Sequence, residues 1–201
     1  AVREICDLGL VELLNAFSAR IKAGASQAAL LDALVRAAAE KQLDARRDLE
    51  GKTSWTFVYL AALAAEQGAD AKAWCQGAAL VNLFPTDEAA GRVQPLPCDA
   101  PSEAALADAI LDAEPERAMG IALALAPGAA LRALAEAASQ NDPAFNHSHQ
   151  LLAVAAAADL APRLSPEAQS VMAAALAKSL ANSQGSSDLG RKADKAFRQL
   201  P

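Results

Sequence analysis

The sequence predicts an all-α protein of eight to nine helices, and three observations point to that fold class. Hydrophobic residues make up 53% of the 201 residues and charged residues 21%, which is the balance of a packed soluble protein. Much of the apolar content is alanine, the strongest helix former, whereas aromatic residues are only 4%. Apolar residues recur at helical spacing, and no stretch shows the alternation of a strand.

The beginning of the chain carries signals for two helices. The first is predicted over residues 2–22, because apolar residues recur there every three or four positions. Gly24 follows it in the position that commonly ends a helix. Ser26 is a favourable helix cap, and it opens a second predicted helix over residues 27–43.

The remainder of the first half predicts two more helices and a linker. Thr53 or Ser54 begins the third helix, which Gly68 closes, and the fourth covers residues 70–84. Residues 85–101 contain four prolines and are the least regular stretch of the chain. They form the predicted linker between two halves.

The second half predicts five helices, and its start signals are serine and proline. Ser102 and Ser165 are helix caps, and Pro115 occupies a first helical position. The dipeptide Pro127-Gly128 is expected to break the chain between two helices. The five helices are predicted over residues 103–113, 115–125, 129–139, 146–161 and 166–181.

The order of these elements indicates an internal duplication of a four-helix unit, packed as one domain. Ala28-Ala29-Leu30 matches Ala129-Ala130-Leu131, and Ser54 matches Ser148 in the next helix of each half. Two such copies commonly pack about a pseudo-two-fold axis, with a site where equivalent helices meet. The predicted organisation is a first repeat over residues 1–84, a linker over 85–101, a second repeat over 102–181 and a polar tail over 182–201.

The net charge and the cysteines limit which partners and which cellular location the protein is expected to have. The formal net charge is −6, which argues against nucleic acids and anionic membranes because both bind basic surfaces. The longest apolar runs, residues 55–65 and 151–158, fall short of the roughly 20 residues that span a bilayer. Cys6, Cys75 and Cys98 form no C-x-x-C motif, which favours reduced thiols and a cytoplasmic location.

The strongest candidate for a site is the pair His147 and His149, the only two histidines of the chain. A helix N-terminus lowers a histidine pKa, because the positive end of the dipole opposes the imidazolium, and this favours the neutral form of a ligand or base. Residues two apart lie about 200° apart on a helix, so both reach one metal only if His147 precedes the first turn. Three interpretations stay open: a metal or haem site, catalytic residues that act as acid or base, and structural residues at the helix start.

A ligand pocket is predicted beside the histidines. Trp55 and Tyr59 are four residues apart and therefore share one face of the third helix. In a chain this poor in aromatics, the pair supplies either bulk for the core or the wall of a pocket. Thr53 and Asn146 complete the candidate pocket, since each stands at the start of one of the two equivalent helices. No cofactor motif is found, and the cofactor is left unassigned.

The stretch FNHSHQLLAVAAA, preceded by an alanine-rich AAL helix, resembles an all-helical bacterial domain. That domain occurs alone or beside Rieske-type ferredoxin modules and is loosely similar to questin-oxidase-like proteins. The resemblance covers residues 26–161 and implies a helical duplication with a histidine-bearing pocket tied to redox chemistry. The chain departs from it by lacking Rieske C-x-H…C-x-x-H ligands and by carrying Thr53 and Trp55 where histidine is expected.

Two hypotheses for function follow. The first is a helical domain that binds a small apolar ligand or a partner protein, with a homodimer as one form of the latter. The alternative is an oxidoreductase-like enzyme that uses a histidine-bearing interhelical pocket, with a bound metal or haem. The sequence alone leaves open whether the protein is an enzyme.

Overall fold

A computed structural model describes residues 1–44, 54–83, 94–139 and 147–184. The side chains of residues 44, 54–57, 68–70, 147–149 and 184 lie outside this description. The described residues form ten α-helices and no strand, which confirms the all-α prediction. The helices are α1 (Val2–Asp7), α2 (Leu10–Lys22), α3 (Gln27–Asp44), α4 (Ser54–Ala64), α5 (Asp70–Asn82), α6 (Glu103–Leu111), α7 (Pro115–Ala124), α8 (Pro127–Ser139), α9 (His147–Leu160) and α10 (Pro166–Gln184).

The prediction of one helix over residues 2–22 is wrong. Leu8 and Gly9 are both extended, with ψ near 151°, and they separate α1 from α2. The apolar periodicity runs across this break, so it gave no sign of it. The predicted stop after α2 is confirmed, since Gly24 has a φ of 85° and the backbone N–H of Ala25 bonds to the carbonyl of Arg20.

Of the two helix breaks predicted at glycine, one is wrong and one is confirmed with a small shift. Gly68 does not end the third helix, because a π-helical segment, Ala65–Ala69, joins α4 directly to α5. The break between α7 and α8 is confirmed, since Leu125 is extended, but it lies just before Pro127, and Pro127-Gly128 form the first turn of α8. Proline is well suited there, because the first N–H groups of a helix have no acceptor within the helix and proline has none to lose.

The predicted serine caps are confirmed. Ser26 accepts from the N–H of Ala29 at 3.2 Å, and Ser102 accepts from the N–H of Ala105 at 3.1 Å. Ser165 accepts from the N–H three residues on at 3.3 Å and so opens α10. Each bond satisfies a donor that the helix itself cannot pair, and such caps contribute about 1 kcal/mol each.

The helix α10 is the centre of the molecule. It packs against α3, α6, α7, α8 and α9, and one hydrophobic cluster extends through both halves. Alanine is the commonest buried residue, so the helices can approach closely. Gly77 shows how closely, since a Cβ there would lie 2.8 Å from the Cβ of Ala61.

The described part of the predicted linker lies on α7. The N–H of Leu96 bonds to the carbonyl of Glu116 at 2.9 Å. A Cβ on Gly120 would lie 1.7 Å from the carbonyl oxygen of Leu96, so only glycine lets the two backbones approach this closely. Leu96 is therefore held against α7 of the second half, and the predicted linker over residues 85–101 stays a prediction.

The two halves show the same order of packing. Every helix pair that packs within α1–α5 has a counterpart that packs within α6–α10, taking the helices in chain order. The halves are joined by α3 against α10 and by α4 against α9. In chain order α3 is equivalent to α8, and α5 is equivalent to α10. A two-fold axis would therefore pack α5 against α8 as closely as α3 packs against α10, and no such packing occurs among the described residues. The internal duplication therefore stays a prediction.

Within the described ranges, no helix is both long enough and apolar enough to cross a membrane.

Candidate functional site

An open groove lies between α8 and α9 in the described structure. Its volume is about 470 Å³, which lies within the range of small-molecule sites. Its apolar lining comes from both helices and from the 3₁₀ turn that follows α9 (Ala161–Arg163). The lining residues are Gly128, Leu131, Arg132, Ala135, Ala158, Ala161, Pro162 and Gln169.

The groove exists because the facing helices carry small side chains. Ala135 on α8 and Ala158 on α9 are exposed, and neither fills the space between the helices. Gly128 leaves the first turn of α8 bare. Pro162 ends the α-helical part of this wall, where the chain turns into α10. The groove therefore has rigid helical walls with little side-chain bulk.

Two polar side chains border the groove. The guanidinium of Arg132 binds the carboxylate of Glu103 on α6 through Nε at 3.3 Å and Nη2 at 2.5 Å. This bond raises the pKa of Arg132, because the carboxylate stabilises the charged form. The amide of Gln169 donates to the carbonyl of Leu164 at 3.0 Å. One cation and one amide are thus the polar groups of an otherwise apolar groove.

A second polar cluster lies on the neighbouring stripe of α9. The hydroxyl of Tyr59 on α4 lies beside the carboxylate of Asp159, and this acceptor raises the pKa of Tyr59 because it stabilises the protonated phenol. Arg163 lies 3.7 Å from Asp159 and also forms an ion pair with Glu66. Glu66 stands in the π-helical segment. Tyr59 therefore lies at the α4–α9 seam and is not among the residues that line the groove.

The helices that carry the predicted site residues pack against each other. Trp55 lies on α4, and His147 and His149 begin α9, but the side chains of all three are outside the described part of the structure. Thr53 and Asn146 lie outside the described residues altogether. Of the predicted pocket, the structure describes the packing of α4 against α9 and the side chain of Tyr59.

Two contacts fix how α4 and α9 are aligned. Tyr59 meets Asp159 and Glu66 meets Arg163, so both helices run in the same direction. At about 1.5 Å of rise per residue, the first contact lies about 8 Å beyond the start of α4 and about 18 Å beyond the start of α9. The first turn of α9, with both histidines, thus extends about 10 Å past the first turn of α4.

Buried polar residues begin immediately after the histidines. Gln150 is almost fully buried, and its amide donates to the hydroxyl of Ser183 near the end of α10. The turn of α9 that follows His149 is therefore attached to the last turns of α10. Ser183 in turn donates to the carbonyl of Leu180 at 2.7 Å.

The most deeply buried charge lies on the same helix. Lys178 has no exposed surface, and its ammonium donates to the carbonyls of Gln42 at 2.7 Å and Leu43 at 3.1 Å. These carbonyls belong to the last turn of α3. The last carbonyl groups of a helix have no N–H partner within the helix, so they need a donor from elsewhere. The amide of Gln42 is buried and has no partner in the described structure.

Sequence reasoning missed both the groove and Lys178. Alanine and glycine carry no chemical signal, so a groove that they line cannot be recognised before the helices are packed. Lys178 did leave a signal, because it is the one charge in the apolar run from Val171 to Ala181. A lone charge in a helix that is otherwise apolar indicates a buried ionic contact.

The described residues bring no three potential metal ligands together. No group of three or more His, Cys, Asp or Glu side chains forms a metal site there, and the two histidine side chains are outside that part of the chain. The prediction of a metal or haem at the histidine pair thus stays a prediction.

No protein-family model, curated protein or solved structure matches this chain. The resemblance to the helical domain found beside Rieske-type modules therefore stays a prediction, and the function has to be inferred from the chain itself.

Proposed function

We propose that this protein is a helical binding domain that takes a small apolar ligand in the groove between α8 and α9. The groove carries the proposal, since a volume of about 470 Å³ with apolar helical walls suits a small molecule. Both walls belong to the part of the molecule that packs around α10. A ligand would therefore meet a preformed surface and would lose little free energy to ordering the protein.

The lining also explains how the ligand would be retained. Each Å² of apolar surface that a ligand removes from water contributes about 25 cal/mol to the binding free energy. The exposed alanines of the groove provide apolar surface that a ligand can cover. Leu131 lines the groove and is also buried in the core, so its side chain is held in place by packing. The exposed side of α9 continues as Leu151 and Leu152, which extends the apolar surface beyond the groove. A surface of this kind also suits a partner protein.

A groove-filling substitution tests the proposal. Ala158→Phe places a ring in the groove from an exposed position, so the core is left intact. Binding of N-phenyl-1-naphthylamine, a neutral apolar dye, is measured by fluorescence. We expect the affinity to fall by roughly tenfold or more in Ala158→Phe, equivalent to about 1.4 kcal/mol.

The matched control is Ala19→Phe. Ala19 is an exposed alanine on α2, far along the chain from the groove, and it does not line it. This variant should bind the dye like the unmodified protein. Equal dye binding by all three proteins, or no dye binding by any of them, would contradict the proposal.

The enzyme hypothesis is the second candidate, and one observation favours it. The buried bond from Gln150 to Ser183 attaches the histidine-bearing turn of α9 to the polar end of α10. Its test is elemental analysis and an absorbance scan of the purified protein, with His147→Ala/His149→Ala as the comparison. A stoichiometric metal or haem that the double variant loses would support this hypothesis, and a colourless, metal-free protein would argue against it.

A further inference from the structure

Arg132, the cation that borders the groove, indicates what kind of ligand the groove binds. This inference rests on the proposed function. Arg132 uses Nε and Nη2 for Glu103, and within the described structure Nη1 has no protein acceptor. A Cβ on Gly128 would lie 3.9 Å from Nη1, which places this nitrogen over the bare first turn of α8. One pair of guanidinium N–H groups therefore stays available at the end of the groove.

Arg132 is the one charged residue that lines the described groove. No acidic side chain lines the described groove, and Glu103 approaches Arg132 from α6 outside it. The first turn of α8 adds the positive end of a helix dipole beneath the guanidinium. A ligand that fills the apolar groove thus places its end beside the guanidinium of Arg132.

The pair between Arg132 and Glu103 is a weak competitor for such a ligand. Both side chains are largely solvent-exposed, with 68% of Arg132 and 41% of Glu103 accessible. Exposed ion pairs contribute little to stability, so a second carboxylate can share or replace Glu103 at low cost. Guanidinium is also the side chain that best matches a carboxylate, because it offers parallel N–H groups.

We propose that the ligand is an amphipathic carboxylate, an apolar chain that lies in the groove and ends in a carboxylate bound to Arg132. The groove supplies affinity through the apolar chain, and Arg132 selects the head group. Glu103 competes with the head group for the same guanidinium. The chemistry predicts opposite effects for the two partners of this ion pair.

Decanoate and 1-decanol separate the head group from the chain, since both displace the neutral dye through the same apolar body. We expect decanoate to bind about two- to fivefold more tightly than decanol, because an ion pair at an exposed guanidinium contributes about that much. Arg132→Gln should remove this difference and leave decanol binding unchanged. Glu103→Gln should tighten decanoate binding several-fold, again without effect on decanol.

Arg117→Gln is the control for loss of a surface arginine. Arg117 pairs with Glu114 at 2.7 Å on α7 and does not line the groove. It should leave the preference for decanoate intact, and circular dichroism should show that all variants stay folded.

The outcomes separate the two proposals. If decanol and decanoate bind equally, or if Arg132→Gln keeps the preference, the head-group inference is wrong while the apolar groove stands. If neither compound displaces the dye and the dye itself does not bind, the proposed function is wrong.

Discussion

Two helix pairs join the halves of this molecule, and they do so in different ways. Both α3 with α10 and α4 with α9 consist of helices that run in the same direction. In the first pair, contacts occur in the same order along both helices, from Asp32 with Ser165 to Gln42 with Lys178. This pair is bonded at both ends, whereas the α4–α9 pair has its described polar contacts only at the end where Tyr59 meets Asp159.

Charged side chains of the α3–α10 pair offset the repulsion between the dipoles of two parallel helices. Parallel helices place like ends of their dipoles side by side. Asp32 lies at the positive start of α10, where it accepts from the N–H of Ser165 at 2.9 Å and from its hydroxyl at 2.5 Å. Lys178 lies at the negative end of α3. Each helix thus supplies the charge that the end of the other helix favours.

The α4–α9 pair has no such compensation along most of its length. The segment Ser54–Ala64 contains no charged residue, and His147–Leu160 contains only Asp159. Both helices nevertheless face solvent, since Leu60 is 53% exposed and Leu152 is 55% exposed. A helix that is apolar on a solvent-facing side is typical of a surface that contacts something else. The comparison separates a bonded scaffold, α3 with α10, from an apolar surface, α4 with α9.

The largest expected effect comes from Lys178→Met, which keeps the length of the side chain and removes its ammonium. The carbonyls of Gln42 and Leu43 would lose a buried donor, and each such loss costs about 1–3 kcal/mol. We expect the free energy of unfolding to fall by about 2–4 kcal/mol. Urea denaturation followed by circular dichroism measures it.

Lys41→Met is the matched control for this substitution. Lys41 is half-buried and donates to one carbonyl, that of Asn82, at 3.1 Å. Its loss should cost about 0.5–1.5 kcal/mol. A Lys178→Met protein as stable as the unmodified chain would mean that burying the ammonium costs as much as its bonds return. The α3–α10 pair would then have no advantage over the apolar pair.

Asp32→Ala tests the other end of the same pair and should have a smaller effect. Asp32 is half-buried, and Ser165 would still cap α10 through the N–H of Ala168. We expect a loss of about 1–2 kcal/mol, less than for Lys178, because water can reach the donors left behind. Asp108→Ala, at an exposed position on α6, should stay within about 0.5 kcal/mol of the unmodified protein in the same denaturation experiment.

The sequence predicted much of this scaffold and little of its detail. Periodicity and caps indicate helices because both are local, and so α3, α8 and α10 lie close to their predicted bounds. The break at Gly9 was missed, since the apolar pattern continues through it. Gly68 was misinterpreted because a π-helical segment can accommodate glycine without ending the helix.

The candidate site was less predictable, for a physical reason. Tyr59 was predicted to line a pocket, but its neighbour Asp159 lies 100 residues away in the sequence, and no local pattern connects them. The groove depends on which alanines face each other across α8 and α9, which only packing decides. A reactive side chain can be recognised in a sequence. A groove lined by alanine and glycine cannot, because these residues have no reactive group and the groove appears only when the helices pack.

The smallest expected effect concerns the polar end of the α4–α9 pair, where Tyr59 is the only tyrosine of the chain. Absorbance at 295 nm therefore reports the ionisation of this one hydroxyl. The acceptor Asp159, followed by burial, raises the pKa of Tyr59, so the midpoint should lie above the ordinary value of about 10. Asp159→Asn should lower the midpoint towards that value, and Asp108→Asn should leave it unchanged.

The same contact has a defined dependence on pH. Because the pKa of Tyr59 is raised in the folded protein, the contact contributes its full stabilisation below about pH 10 and loses it as the pH rises through the folded pKa. Tyr59→Phe should thus lower the melting temperature only slightly at pH 7, and the difference from the unmodified protein should vanish above the folded pKa. If Tyr59→Phe instead melts at the same temperature as the unmodified protein at pH 7, the hydroxyl adds nothing to the seam, and the α4–α9 pair would then be held there by apolar packing, including that of the ring that both proteins keep.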